Sequence, residues 1–85
     1  MKLYDFSDRE IFNIIGTNVR YYRLLYSLNN EKLTQEELAE LVGVSTTLIG
    51  NLESKKINQG ISVPTLYKIS KVLEVSIDDL VCKRK

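Results

Sequence analysis

Few side chains here can do covalent chemistry. The 85 residues contain no histidine and one cysteine, Cys82. The usual zinc ligand sets therefore cannot be assembled, and the commonest general base is missing. The carboxylates at Glu36, Glu37, Glu40, Asp78 and Asp79 have the spacing of solvated helix faces and caps rather than of an acid–base pair. We expect no enzyme, no cofactor and no metal. A single cysteine forms no internal disulfide and fits a reducing compartment; Cys82 reads as a small, half-buried residue. What the chain offers instead is hydrogen-bonding chemistry. In "TQEELAELVGVSTTLIGNLES", residues 34–54, the first of two short helical patterns carries the charges of a solvated helix. The second places threonines, a glycine and an asparagine where its outer face should be. A nearly uncharged outer face of short donors and acceptors is the feature to be explained.

The elements around that face can be read in turn. Ser7-Asp8-Arg9-Glu10 has the form of a capping box. Ile11, Ile15, Val19, Tyr22 and Tyr26 then recur at three- and four-residue spacing, predicting a helix over about 8–28 or one that starts nearer Ile15. Gly16 inside it costs roughly 1 kcal/mol relative to alanine, and Asn29-Asn30 ends it. Thr34 and Glu37 form a second capping box. Leu38, Ala39, Leu41 and Val42 are the apolar face of the second helix, Gly43 fits a left-handed cap, and Val44 plugs the core. Ser45 caps the third helix, with Ile49 and Leu52 buried. Ser62-Val63-Pro64 opens a fourth, since proline in the first turn misses no hydrogen bond; its core face is Leu66, Ile69, Val72 and Leu73. Ser76 caps a short fifth, with Asp78 and Asp79 at its positive end and Ile77, Leu80 and Val81 closing the core. No alternating strand pattern occurs. The expectation is an all-α domain of five helices over 11–82, with an extension at 1–10 and a basic, solubilising tail at 83–85.

Composition agrees with one small soluble domain: 44% of residues are hydrophobic and the net charge is +1. A chain this short buries only about 60–65% of its unfolded surface, so its stability is marginal. No apolar run approaches the roughly 20 residues that span a bilayer, and "MKLYDFSDRE" lacks the apolar core of a signal peptide. We therefore expect a cytoplasmic protein without a membrane partner. The charge is unevenly placed. Residues 31–42 carry Lys32 against Glu31, Glu36, Glu37 and Glu40. Residues 43–72 carry Lys55, Lys56, Lys68 and Lys71 against Glu53. A modest basic region thus follows the uncharged helix.

Two short amphipathic helices joined through Gly43 have helix-turn-helix form. With "LTQEELAELVGVS", "IGNLE" and "SVPTLYKISKVLEVSIDDLV" in register, the chain resembles the phage-repressor-like (Cro/C1, XRE) DNA-binding family. The resemblance implies a lambda-repressor-like fold whose third helix, about 45–53, lies in the major groove of double-stranded DNA. Thr46, Thr47, Gly50 and Asn51 would face the bases: the threonines through hydroxyl and methyl groups, Asn51 through a bidentate pair with adenine, and Gly50 by letting the backbone approach. Gln35, Ser45, Lys55, Lys56 and Asn58 would meet phosphates, and Arg23 with Glu53 would form a structural ion pair orienting the helix. Leu48 would pack against helix two or cover a thymine methyl. Arg20 would meet phosphate or be plain surface, and Tyr21, Tyr22 and Tyr26 would pack. The resemblance further implies a homodimer on a palindromic operator, acting as a transcriptional regulator, above all a repressor; the alternative is an antitoxin or other interaction module with a protein partner such as a toxin. Four features depart from the family pattern, one of them the added segment before Ile11. Lys55 stands where glycine is usual, in a left-handed cap that disfavours lysine. The loop from Lys55 to Ile61 is longer than usual. So is the connection from Arg23 to Gln35, where "LLYSLNNEK" must extend helix one or form a larger loop.

Overall fold

The computed structural model describes residues 6–55 and 57–84. Its helices are α1 (Asp8–Asn29), α2 (Gln35–Val42), α3 (Thr46–Ser54), α4 (Val63–Leu73) and α5 (Ile77–Val81), with no strand among the described residues. No helix among these residues is long and apolar enough to cross a membrane. Each helix starts on a serine or threonine whose side chain accepts from the backbone N–H three residues on: Ser7, Thr34, Ser45, Ser62 and Ser76. At Ser7, Thr34 and Ser76 the third helical residue reaches back to complete a capping box. Three helices stop in left-handed caps, at Gly43 (φ 78°), Lys55 (φ 61°) and Glu74 (φ 60°). "LLYSLN" extends α1 through Asn29, with Asn30 as its C-cap, and the helix starts at Asp8, well before Ile15.

The core gathers Ile15 and Val19 from α1, Leu38, Ala39 and Val42 from α2, Ile49 and Leu52 from α3, Leu66, Ile69 and Leu73 from α4, and Leu80 from α5. Leu33, just before the Thr34 cap, is buried with Leu38; the pair occupies the N′ and N4 positions of a hydrophobic staple. Val44, Tyr22, Tyr26, Val72 and Ile77 pack against this core half-buried. Several expected core positions lie outside it. Leu41 is 63% exposed, because the inward arc of the short α2 is centred on residues 38, 39 and 42 and residue 41 falls on its flank. Ile11 is exposed; the stripe of α1 that meets its neighbours runs through Phe12, Ile15, Gly16 and Val19. Val81 and Cys82 are exposed, since α5 turns Leu80 and, in part, Ile77 inward and Cys82 already lies past its last turn.

The α1–α3 crossing decides where α3 points. A methyl group on Gly16 would fall 2.9 Å from the Leu52 carbonyl carbon, and closer still to its oxygen. Backbone therefore rests on backbone, and only glycine leaves room. The Gly16 that weakens α1 as an isolated helix is what allows α3 to seat.

Candidate nucleic-acid interface

Helix α3 has a bolted side and an open side. On the bolted side Ile49 and Leu52 are in the core, and Glu53 is 3% exposed. Its carboxylate accepts from Arg23 Nε at 2.8 Å and Arg23 Nη2 at 2.8 Å, a bidentate pair. Gln35 Nε2 donates to Glu53 Oε1 at 3.0 Å, and Arg23 Nη1 donates to the Leu33 carbonyl at 3.0 Å. The charges are thus compensated and the surrounding hydrogen-bonding groups are used, which a buried ion pair needs to be tolerated. The network ties α1, the Leu33 turn, α2 and α3 at one point, so the orientation of α3 is fixed relative to α2.

On the open side Thr46 and Thr47 are exposed, and Gly50 and Asn51 half-exposed. Ser45 caps the helix and its Oγ accepts from the Leu48 N–H at 3.1 Å. Leu48 is half-buried against the core. The side chain of Gln35 lies beside Gly50: a methyl group there would stand 3.6 Å from Gln35 Oε1. The space over Gly50 is shared with Gln35, and the Gln35 amide donor is engaged with Glu53. One N–H of the Gln35 amide is thus used within the fold, and the backbone N–H of Gln35 lies in the first turn of α2, where such groups have no partner within the helix. Asn51 Nδ2 lies 3.5 Å from Gln59 Oε1, a weak bond at the limit of useful geometry. Gln59, from the α3–α4 loop, was not expected at this surface; a lone glutamine in a long loop carries no sequence signal. Ser54 is exposed one turn beyond Gly50 and donates to the Asn51 carbonyl at 3.2 Å.

Of the expected phosphate contacts, Ser45, Lys55 and Asn58 are exposed, and Lys56 lies outside the described residues. Lys55 takes the left-handed cap despite its side chain, and its Nζ donates to Thr17 Oγ1 of α1 at 3.0 Å. Arg20 is exposed. Tyr21 is also exposed; it packs edge-to-face on Tyr22, with ring centroids 5.0 Å apart, and carries the Arg84 guanidinium 3.5 Å from its ring centre. Another residue not singled out from the sequence is Asn18, wholly buried. Its Nδ2 donates to the carbonyls of Leu80 and Cys82, both at 2.8 Å. A polar residue on the inward arc of an amphipathic helix was the available signal. At the start of α2, the backbone N–H of Thr34 and then its hydroxyl donate to Glu37, holding that carboxyl below the ordinary glutamate range.

This geometry defines a helix-turn-helix module: two short helices at a fixed angle through a glycine cap, the second with one face locked and one face open. The helix-turn-helix family model matches residues 24–80. The chain is 37% identical over 75 residues to "Control protein C.SmaI" of Serratia marcescens, covering 88% of this chain and 81% of that protein. It is 41% identical over 64 residues to an "Uncharacterized HTH-type transcriptional regulator" of Archaeoglobus fulgidus, covering 75% of this chain and 81% of that protein. The crystal structure of the hypothetical transcription factor NHTF from Neisseria has the same fold, with a TM-score of 0.70 at 23% identity over 92% of this chain and 82% of that one. The chain belongs to the phage-repressor-like (XRE) helix-turn-helix family of DNA-binding transcriptional regulators.

Proposed function

We propose that the protein is a sequence-specific regulator that lays α3 in the major groove of double-stranded DNA and represses transcription from its site. The observation that carries this reading is the division of α3. Ile49, Leu52 and the Arg23–Glu53 pair hold one side, while Thr46, Thr47, Gly50 and Asn51 leave the other short, polar and without a carboxylate. Long acidic side chains there would be repelled by phosphate. Threonine hydroxyls and methyls and an asparagine amide match the donor, acceptor and methyl pattern of base edges. Ser45, Lys55, Asn58 and the first-turn N–H groups of α2 supply the flanking phosphate contacts, which position the protein without reading sequence.

One such module reads few bases, so the protein acts as a homodimer on an inverted repeat with half-sites about 34 Å apart, one helical turn. The relative named as a control protein supports a regulatory role of this kind, and the working compartment is the cytoplasm. Selection of bound duplexes from a random pool tests the reading. The expected product is an inverted repeat whose half-site centres lie one turn apart. A pool that stays random after repeated rounds would refute it.

A further inference from the structure

We infer that the C-terminal residues Lys83 and Arg84, with Lys55, form a second phosphate-holding groove that grips the DNA backbone beyond the recognition helix. This rests on the DNA-binding reading above and extends it to a part of the chain that composition alone marks as a solubilising tail. The groove runs between α1, the C-terminal cap of α3 and the chain leaving α5. Asn13 and Thr17 line it from α1, and Lys55, Lys83 and Arg84 from the other elements. Three cations, the neutral hydrogen-bonding side chains of Asn13, Thr17 and Asn18, and the apolar Ile14 line it, with no carboxylate among the described residues.

The cations are placed rather than loose. Asn18, on the floor, holds the carbonyls of Leu80 and Cys82, so Lys83 and Arg84 leave from a fixed point. The Arg84 guanidinium lies 3.5 Å from the centre of the Tyr21 ring. A guanidinium held over a ring keeps its N–H groups in its own plane, so the contact orients it without using its donors. Lys55 Nζ is anchored at 3.0 Å on Thr17 Oγ1. Ordered cations of this kind bind phosphate at a smaller entropic cost than free lysine chains.

The groove also lies where a backbone would run. Helix α3 has 9 residues. At about 1.5 Å per residue it spans roughly 13 Å, close to the width of a major groove of about 12 Å. With its N-terminal turn on the bases, its C-terminal end reaches the groove wall, and Lys55 follows immediately. Lys83 and Arg84 then continue the basic surface outward from that wall.

The test needs no operator, because the phosphate term is independent of sequence. Binding of the full chain and of the Lys83→Gln/Arg84→Gln variant to an arbitrary 30-base-pair duplex is measured from about 50 to 200 mM salt, with thermal melts of both proteins. Each lost phosphate contact lowers the log–log salt slope by about 0.9. Two lost contacts should make the variant roughly tenfold less sensitive to salt over that range. If the double variant melts early through loss of the Tyr21 contact, Lys83→Gln alone should still lower the slope by about 0.9. Wild-type binding with an unchanged slope in a folded variant overturns the groove and leaves the DNA-binding reading standing. No wild-type binding to any duplex at low salt overturns both. Inorganic phosphate that raises the melting temperature of the wild type but not of the variant, with equal DNA slopes, would assign the groove to a free anion and overturn the DNA-backbone role.

Discussion

Gly16→Ala separates local helix propensity from tertiary packing. Judged as a helix position, the change should stabilise α1 by about 1 kcal/mol. The crossing with α3 says the opposite. The new methyl would meet the Leu52 carbonyl carbon at 2.9 Å, whereas comfortable non-bonded contact begins near 3.5 Å. Helix α3 must therefore retreat by more than half an ångström, and the obstacle is backbone with no rotamer to change. Overpacking of this kind costs about 1–3 kcal/mol, and rigid backbone places it at the upper end. After subtracting the propensity gain, the variant should be less stable by about 1–2 kcal/mol, a fall in Tm of about 4–16 °C for a domain of this size. Urea unfolding at constant m-value measures it, since a change in midpoint alone reports stability. Gly50→Ala is the internal control. It also sits inside a helix, but its methyl would meet only Gln35 Oε1 at an ordinary 3.6 Å, so it should gain up to about 1 kcal/mol of stability. Equal or greater stability of Gly16→Ala than of the wild type would refute the close-contact account of how α3 is seated.

Further substitutions probe the rest of the account. Arg23→Met strands Glu53 in the core and should cost about 3–5 kcal/mol, whereas Arg23→Met/Glu53→Leu should recover most of that loss, with urea midpoints as the readout. Lys55→Gly relieves a left-handed lysine (φ 61°) and should stabilise the fold by about 1 kcal/mol while weakening binding to any duplex, which thermal melts and filter binding separate. The Glu37 carboxyl is held below its ordinary range, so it binds a proton less readily folded than unfolded. Its contribution is complete above the unfolded value of about 4.3 and is lost as pH falls through the lower folded value. Melts across that acid window should show a smaller loss of stability in Glu37→Gln than in the wild type. Asn51→Ala should cost about 1–3 kcal/mol on a selected site, the worth of one bidentate base pair contact, with little change on arbitrary DNA.

Much of this fold is legible in the sequence, and the reasons are local. Ser7, Thr34, Ser45, Ser62 and Ser76 announce helix starts because a cap is a short-range hydrogen bond. Gly43 announces the turn because its backbone conformation favours glycine. The pairing of Arg23 with Glu53 was implied by family register, and the structure brings the two together. What the sequence hides depends on which helices meet. Leu41 looks like core because three of its neighbours are, and only the placement of α3 and α4 against α2 leaves it in water. Gly16 reads as a local cost until Leu52 is seen against it. Asn18 and the C-terminal residues are 62 and more positions apart in the chain, so no spacing rule links them. Asn51 is legible as an outward residue, but its neighbour Gln59 depends on the path of the long α3–α4 loop.

The central claim is that the open face of α3 occupies the major groove, and methylation interference on a selected duplex tests it most directly. Guanine N7 projects into the major groove and adenine N3 into the minor groove. The account predicts that prior methylation at N7 within each half-site blocks binding and that methylation at N3 there does not. Interference confined to N3, or none at either position in a duplex the protein still binds, would contradict it.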